Sequence, residues 1–335
     1  MSDYLVATRA SALFRAIVLL TLGVCALIGL VLLQPELVAR VAGPQLASHI
    51  SQHFRQPDHR VHDLTFAFVF GTAVVGMLAQ LRTPSANVAG QLLALVPWLA
   101  LVVVFALANT FPPFAPLPLL AALTLVATLV HPGDAFRRVL NARDPSRVLL
   151  VLLVVAAGPL LALAVFNIGL QRTVSDEHAA LGHYGFMAAF SLTLLGASLL
   201  ASLRPPGYWL AAWVAGLLAA LLGLTSLVFA DLDSALDTAW AVAAIAWGLV
   251  FVTTAELTQT AQNPTVFGSW AGRFGQTATG APVARLPGGA ARPSAPRWLY
   301  LAGTLAILLA VLLVGLHLSG GAAGPAGHLQ PGGPP

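Results

Sequence analysis

Long apolar stretches separated by short polar ones make up most of this chain. A helix needs about 20 residues to cross the ~30 Å hydrocarbon core of a bilayer. By length or apolar character, nine stretches are predicted to span a membrane: residues 13–33, 64–81, 88–108, 117–130, 148–168, 186–203, 208–230, 238–254 and 298–318. Segment 117–130 is the shortest of them and relies on its proline-rich flanks to reach both surfaces. The pattern predicts an all-α, polytopic transmembrane helix bundle.

The arginines fall mainly on one side of these segments. With a cytoplasmic N-terminus, twelve of the sixteen lie inside: Arg9, Arg15, Arg82, Arg137, Arg138, Arg143, Arg147, Arg204, Arg273, Arg285, Arg292 and Arg297. Four lie outside: Arg40, Arg55, Arg60 and Arg172. Cytoplasmic loops are enriched in basic residues, so this distribution supports nine spans, a cytoplasmic N-terminus and an extracytoplasmic C-terminus. It would collapse if 117–130 did not cross.

The polar segments complete the predicted organisation. In the external stretch 34–63, Leu46, Ile50 and Phe54 recur every four residues after Gly43-Pro44, which indicates an amphipathic helix on the outer surface. Residues 256–297 have no helical or strand period and are predicted as a flexible cytoplasmic linker. The predicted units are a first membrane half (1–130), an arginine-rich cytoplasmic connector (131–147), a second membrane half (148–255), the linker (256–297), a C-terminal helix (298–318) and a disordered tail (319–335).

The two halves resemble each other in one region. His62 precedes an apolar span that ends at Leu81-Arg82-Thr83-Pro84, and His183 precedes one that ends at Leu203-Arg204-Pro205-Pro206. Another tryptophan-containing apolar span follows in each case. Both halves would begin on the cytoplasmic side, so the pattern predicts a parallel 4+4 repeat about an axis along the membrane normal. The alternative is that any two apolar spans flanked by one histidine and one arginine look alike.

Composition supports the membrane assignment. Apolar residues make up 58% of the chain and charged residues 8%, against about 25% charged in a typical soluble domain. The basic residues are spread over short loops, which argues against nucleic acid and for contact with lipid headgroups. A single cysteine, Cys25, excludes an internal disulfide and a thiolate zinc cluster. The lysine-free, Ala/Leu/Arg/Gly/Pro-rich composition suggests a GC-rich bacterial gene and hence the cell membrane.

Histidines provide the candidate chemistry, since eight of the nine fall on or near the predicted outer face. Under the repeat, His59, His62, His178 and His183 gather at the outer ends of two helices, with Asp63 or Asp176 available to hold a ring nitrogen. Imidazole with carboxylate suits Zn, Cu, Fe or Ni. We therefore predict a metal site at His59, His62, His178, His183 and Asp63. Haem b is the alternative cofactor, although histidines at helix starts fit it poorly. The competing explanation is that histidine simply collects at interfaces.

The middles of the predicted spans carry no Asp, Glu, Lys or Arg, which argues against an ion-coupled transporter. Their polar residues, such as Gln91, Thr128, Ser191 and Ser198, are predicted to make helix–helix hydrogen bonds. The external acidic loop from Asp231 to Asp237 could attract a divalent cation. The favoured interpretation is structural, with Asp237 capping the helix that follows.

Three functions remain open from the sequence. The first is a binding or assembly protein that holds a transition metal or haem at its outer face. The second is a permease for a neutral or amphipathic small molecule. The third is a structural or regulatory membrane subunit with membrane-protein partners. A membrane-embedded enzyme is a further, less favoured alternative, because no residue set indicates a reaction.

Overall fold

The structure is a computed structural model that describes residues 2–33, 40, 59–111, 116–141 and 144–262, all within one compact unit, Met1–Gly275. Its helices are α1 (Ser2–Leu33), α2 (Arg60–Leu78), α3 (Val88–Ala108), α4 (Leu117–Leu129), α5 (Ala135–Leu140), α6 (Arg147–Thr173), α7 (Glu177–Ala180), α8 (His183–Leu203), α9 (Tyr208–Val228) and α10 (Thr238–Gln262). The predicted outer-surface helix, the ninth span, the tail and most of the linker lie outside the described residues.

Seven of these helices are long and apolar enough to cross a membrane: α1, α2, α3, α6, α8, α9 and α10. Helix α4, in the segment 117–130, has 13 residues. On α6, Val154, Val155 and Val165 are each more than 60% exposed, as expected of side chains that face lipid. The all-helical fold is confirmed for the described residues, whereas the full count of nine spans stays a prediction.

The four helices α2, α3, α8 and α9 form the centre of the bundle. Helix α8 packs against α2, α3, α6 and α9, and α3 packs against α2, α4 and α9 as well. Helices α1 and α4 pack together on the side of α2 and α3, while α10 packs on α9 and also touches α6. The two central hairpins, α2–α3 and α8–α9, therefore lie against each other.

Two turns that occupy equivalent positions in the predicted repeat are neighbours in the structure. One follows α2 and the other follows α8, and the backbone N–H of Ala89 donates to the carbonyl of Pro206 at 2.9 Å. Gly207, in the second turn, has φ +83°, and Asn87 of the first lies close beside it. These contacts agree with the order of helices in a 4+4 arrangement, but the repeat itself stays a prediction.

Small residues allow close contact between α2 and α3 and between α9 and α10. A Cβ added to Gly76 of α2 would lie 2.5 Å from the backbone nitrogen of Ala94 and 2.5 Å from the carbonyl oxygen of Gly90, both on α3. On α9, a Cβ at Gly216 would meet the carbonyl oxygen of Gly248 on α10 at 2.6 Å. The backbones approach closely here because these positions lack side chains.

The polar side chains inside the bundle match expectation only in part. Gln91 and Thr128 do connect two helices, since Gln91 Nε2 donates to Thr128 Oγ1 at 3.0 Å. Ser191 and Ser198 instead donate to carbonyl oxygens four residues earlier in their own helix. The prediction of helix–helix hydrogen bonds is wrong for these two hydroxyls, because a hydroxyl in a helix has a local acceptor that needs no neighbour.

Helix α10 continues to Gln262 and so extends into the segment predicted as linker from residue 256. Its last turns are anchored by Glu256, whose Oε1 accepts hydrogen bonds from the indole N–H groups of Trp209 and Trp213 on α9. A carboxylate held by two donors stabilises helical structure that composition alone does not predict. The linker prediction is therefore wrong for its first seven residues, which lie in α10.

His131, just after α4, is buried in a polar network. Its Nε2 lies 3.1 Å from Gln80 Oε1, its Nδ1 accepts a hydrogen bond from Gly133 N–H, and Phe14 of α1 packs edge-on against the ring at 5.1 Å. Burial lowers the pKa of His131 from 6.5 to about 4. The residue is therefore neutral in the folded protein at pH 7.

This pKa predicts a pH-dependent loss of stability. Between pH 6.5 and about 4 the unfolded chain protonates His131 and the folded protein does not, so stability falls as the pH is lowered through that window. We expect the unfolding midpoint, followed by tryptophan fluorescence, to drop less between pH 7 and pH 5 in His131→Gln than in the wild type. Equal drops in both proteins would contradict this role, whatever the other histidines contribute.

Candidate histidine centre

Four histidines from three helices meet at one end of the bundle. His59 directly precedes α2, His62 lies in its first turn, His178 lies in α7, and His183 begins α8. The ring centroid of His59 lies 4.7 Å from that of His178 and 4.5 Å from that of His183. The rings of His62 and His183 stack, with centroids 5.0 Å apart and planes inclined by 14°. We call these four residues the histidine cluster.

The segment between α6 and α8 is held in place by hydrogen bonds. Asp176 caps α7 by accepting the Ala179 N–H at 2.7 Å, and it also accepts the Tyr184 hydroxyl at 2.8 Å. Gln171 of α6 donates to the carbonyl of Ala179 and accepts the Gly185 N–H. The end of α6 therefore positions both His178 and His183.

The histidine cluster is buried on an apolar floor. His59, His62 and His183 are 2–3% exposed, and His178 is half-buried. Beneath them, Val61, Met187 and Phe229 pack into a small core. Gly185 of α8 lets the ring of Phe105 on α3 approach, since a Cβ there would lie 2.7 Å from that ring. Neutral imidazole is the form that binds metal ions.

Two carboxylates border the histidine cluster in different ways. Asp63 Oδ1 lies 3.9 Å from His183 Nε2. Asp176 faces Tyr184 and the α7 backbone. Burial alone would raise the pKa of Asp176, but the hydrogen bonds from Ala179 and Tyr184 hold it below its usual value. The 3.9 Å separation makes the Asp63 contact a proximity of charges that is longer than a hydrogen bond.

The structure thus brings together all five residues selected from the sequence, His59, His62, His178, His183 and Asp63. Sequence reasoning missed two neighbours. Tyr184 directly follows His183, and Met187 lies one helical turn further along α8, with its sulfur 3.1 Å from the Thr65 hydroxyl. The i, i+4 spacing of His183 and Met187 was a signal that could have suggested Met187. The role of Asp176 as anchor of Tyr184 has no comparable local signal.

The geometry of the histidine cluster suits a metal ion. One ring nitrogen from each of His59, His178 and His183 can be chosen so that all three lie within 4.8 Å of one another. His62 adds a fourth imidazole, and its Nδ1 is buried with no hydrogen-bond partner in the part of the chain that the structure describes.

The acidic loop from Asp231 to Asp237 lies at the same end of the bundle. Asp237 Oδ1 accepts the N–H groups of Ala239 and Trp240 at 3.0 and 3.1 Å, so the predicted helix cap is confirmed. Asp231 and Asp233 are exposed, and they line the same cavity as His62 and His178 of the histidine cluster.

Comparison with known proteins gives no relative that could identify this site. No protein-family model, no curated protein and no solved structure matches the chain.

Proposed function

We propose that this membrane protein binds one transition-metal ion at the histidine cluster. The observation that carries the proposal is the convergence of ring nitrogens from His59, His178 and His183 within 4.8 Å. Histidines so far apart in the sequence meet only because α2 and α8 pack side by side. Neutral imidazole is the commonest protein ligand for such ions.

The spacing requires only a small contraction. Zn–N bonds of about 2.0–2.1 Å place tetrahedral ligand nitrogens roughly 3.3 Å apart. Rotation of the three rings about their side-chain torsions can supply that change without moving the helices. Asp63, near His183 Nε2, would then hold a ligand ring in orientation, as carboxylates commonly do behind metal-bound histidines.

The ligand set favours Zn²⁺ or copper over haem. Imidazole suits both ions, and the thioether of Met187 below the cluster adds a soft group that copper accepts. Two axial histidines of a haem must face each other across a wide, flat macrocycle. In the cluster, His62 and His183 stack and His59 and His178 fill the space beside them. That leaves no slot for a porphyrin between the rings.

We propose that the cluster faces the extracytoplasmic side of the cell membrane. Among described residues, its end of the bundle carries Arg60 and Arg172. The opposite end carries Arg82, Arg137, Arg138, Arg147 and Arg204. Basic residues favour the cytoplasmic side. The site would then take its ion from the outer aqueous phase, and His62 and His183 would be equivalent positions of the predicted 4+4 repeat.

Metal content measured after equilibrium dialysis tests the proposal. We expect about one Zn²⁺ or copper ion per wild-type chain, and a large loss in both His178→Ala and His183→Ala, because each removes a ligand. His131→Gln is the matched control, since it removes a buried histidine at the opposite end. A wild-type protein that retains no ion, or alanine variants that retain as much as the wild type, would refute the site.

The permease and the structural or regulatory subunit stay predictions. Neither gains an observation of comparable weight from the described residues.

A further inference from the structure

A cavity of about 610 Å³ lies directly beside the histidine cluster. One wall is the outer part of α6, with Leu163, Phe166 and Leu170. The facing wall is the loop between α9 and α10, from Asp231 to Leu236. His62, His178 and Met187 form the inner end. Cavity and histidine cluster thus share His62 and His178.

The charged side chains that line this cavity, histidines aside, are all acidic. Three carboxylates line it, from Asp176, Asp231 and Asp233, and the residues that line it include no arginine. Asp231 and Asp233 are exposed at the mouth, and Asp176 lies further in beside Tyr184. An acidic cleft with an apolar, low-dielectric wall such as that of α6 concentrates its field on an approaching cation.

The inner end of the cavity offers a buried acceptor. His62 is 3% exposed, and its Nδ1 has no hydrogen-bond partner within the described ranges. The carboxylates therefore lead to a polar side chain that is available for a ligand. The volume also exceeds what a bare ion occupies, so an ion can keep its water until imidazole nitrogens replace it.

The loop that carries the outer carboxylates is anchored at both ends. Ser226 Oγ accepts the Leu236 N–H at 3.1 Å, and Asp237 caps α10. Arg60 lies over the ring of Phe229, at the start of the same connection, with its guanidinium carbon 5.5 Å from the ring centroid. Asp231 and Asp233 are thus held near the mouth.

We propose that this cavity is the entry route by which a hydrated divalent cation reaches the histidine cluster, with Asp231 and Asp233 attracting the ion and His62 receiving it. The inference rests on the metal site proposed above. It assigns the carboxylates a kinetic role, because exposed charges raise association rates far more than they raise affinity. The ion exchanges with the outer aqueous phase through this route.

Stopped-flow measurement of Co²⁺ binding, followed by the visible absorption of the bound ion in lipid nanodiscs, tests the route. At low ionic strength we expect the double variant Asp231→Asn, Asp233→Asn to bind about five- to tenfold more slowly than the wild type. The difference should shrink in 0.5 M salt, because the Debye length there is only about 4 Å and the carboxylates are screened. The final absorption spectrum and stoichiometry should not change.

Glu177→Gln is the control, and it is compared with the single variant Asp233→Asn. Each of the two variants removes one negative charge. Glu177 is exposed at the same end of the bundle but does not line the cavity, so its loss should leave the rate near that of the wild type. Equal rates in the double variant and the wild type would overturn the entry route and leave the metal site standing. Loss of equilibrium Co²⁺ binding in the double variant would make the carboxylates ligands, which also overturns it. Failure of the wild type to bind Co²⁺, Zn²⁺ and copper would overturn both proposals.

Discussion

Saturating Zn²⁺ is expected to raise the thermal unfolding midpoint of the wild-type protein by on the order of 10 °C and to leave a His59→Ala, His183→Ala variant unchanged. An ion that binds only the folded state stabilises it by about 4 kcal/mol at a thousand times its dissociation constant. The double variant removes one ligand from each of the two central hairpins, so the remaining imidazoles cannot join α2 to α8. The measurement is a pair of melting curves with and without the ion.

The metal-free melting curves provide the control. Removing two closely packed imidazoles is expected to change the midpoint without ion much less than it changes the response to Zn²⁺. A variant that melts far lower in both conditions would indicate a packing role for His59 and His183. A double variant that gains as much from Zn²⁺ as the wild type would show that the stabilising ion binds elsewhere.

Gly76→Ala is expected to destabilise the protein by about 3 kcal/mol or more, because the added methyl group would overlap backbone atoms that cannot rotate away. Its Cβ would lie 2.5 Å from both Ala94 N and Gly90 O. Helices α2 and α3 would have to separate along their length, and Gln80, which donates to the Gly76 carbonyl at 3.3 Å, would lose its place beside His131.

Gly71→Ala is the matched substitution, five residues earlier on the same helix. No neighbouring atom lies within 4 Å of a Cβ built there. That change should be neutral or slightly stabilising, since alanine is a better helix former than glycine by up to about 1 kcal/mol. Unfolding in mixed detergent, followed by circular dichroism, measures both. Similar stability for the two variants would mean that α2 and α3 are packed less closely than the structure shows.

Much of the fold follows from apolar length. The spans predicted at 88–108 and 186–203 correspond closely to α3 and α8. An apolar segment long enough to cross a bilayer forms a helix because its backbone polar groups must then bond to one another. The ends are less predictable where tertiary contacts extend a helix. Glu256 shows this, because its two tryptophan donors lie on α9, more than forty positions earlier in the sequence.

The histidine cluster was predictable for a different reason. The matching positions of His62 and His183 implied that the histidine-bearing ends of α2 and α8 lie together, and the structure places them in contact. The cavity was not predictable in this way. It depends on how the α9–α10 loop stands opposite α6, and neither Asp233 nor Phe166 carries a local signal of that arrangement. In a sequence, a carboxylate that lines a cavity cannot be distinguished from one that caps a helix, which is the role that Asp237 does have.

The distribution of the four histidines along the chain also bears on how the protein is made. His59 and His62 emerge from the ribosome with the first hairpin, more than a hundred residues before His178 and His183. A nascent chain that has inserted only α1 to α4 carries half of the histidine cluster and none of the segment that Gln171 and Asp176 hold in place. If the histidine cluster binds an ion as proposed, the apoprotein integrates and pairs its hairpins first. Incorporation of the ion is then a late maturation step that can report completed assembly.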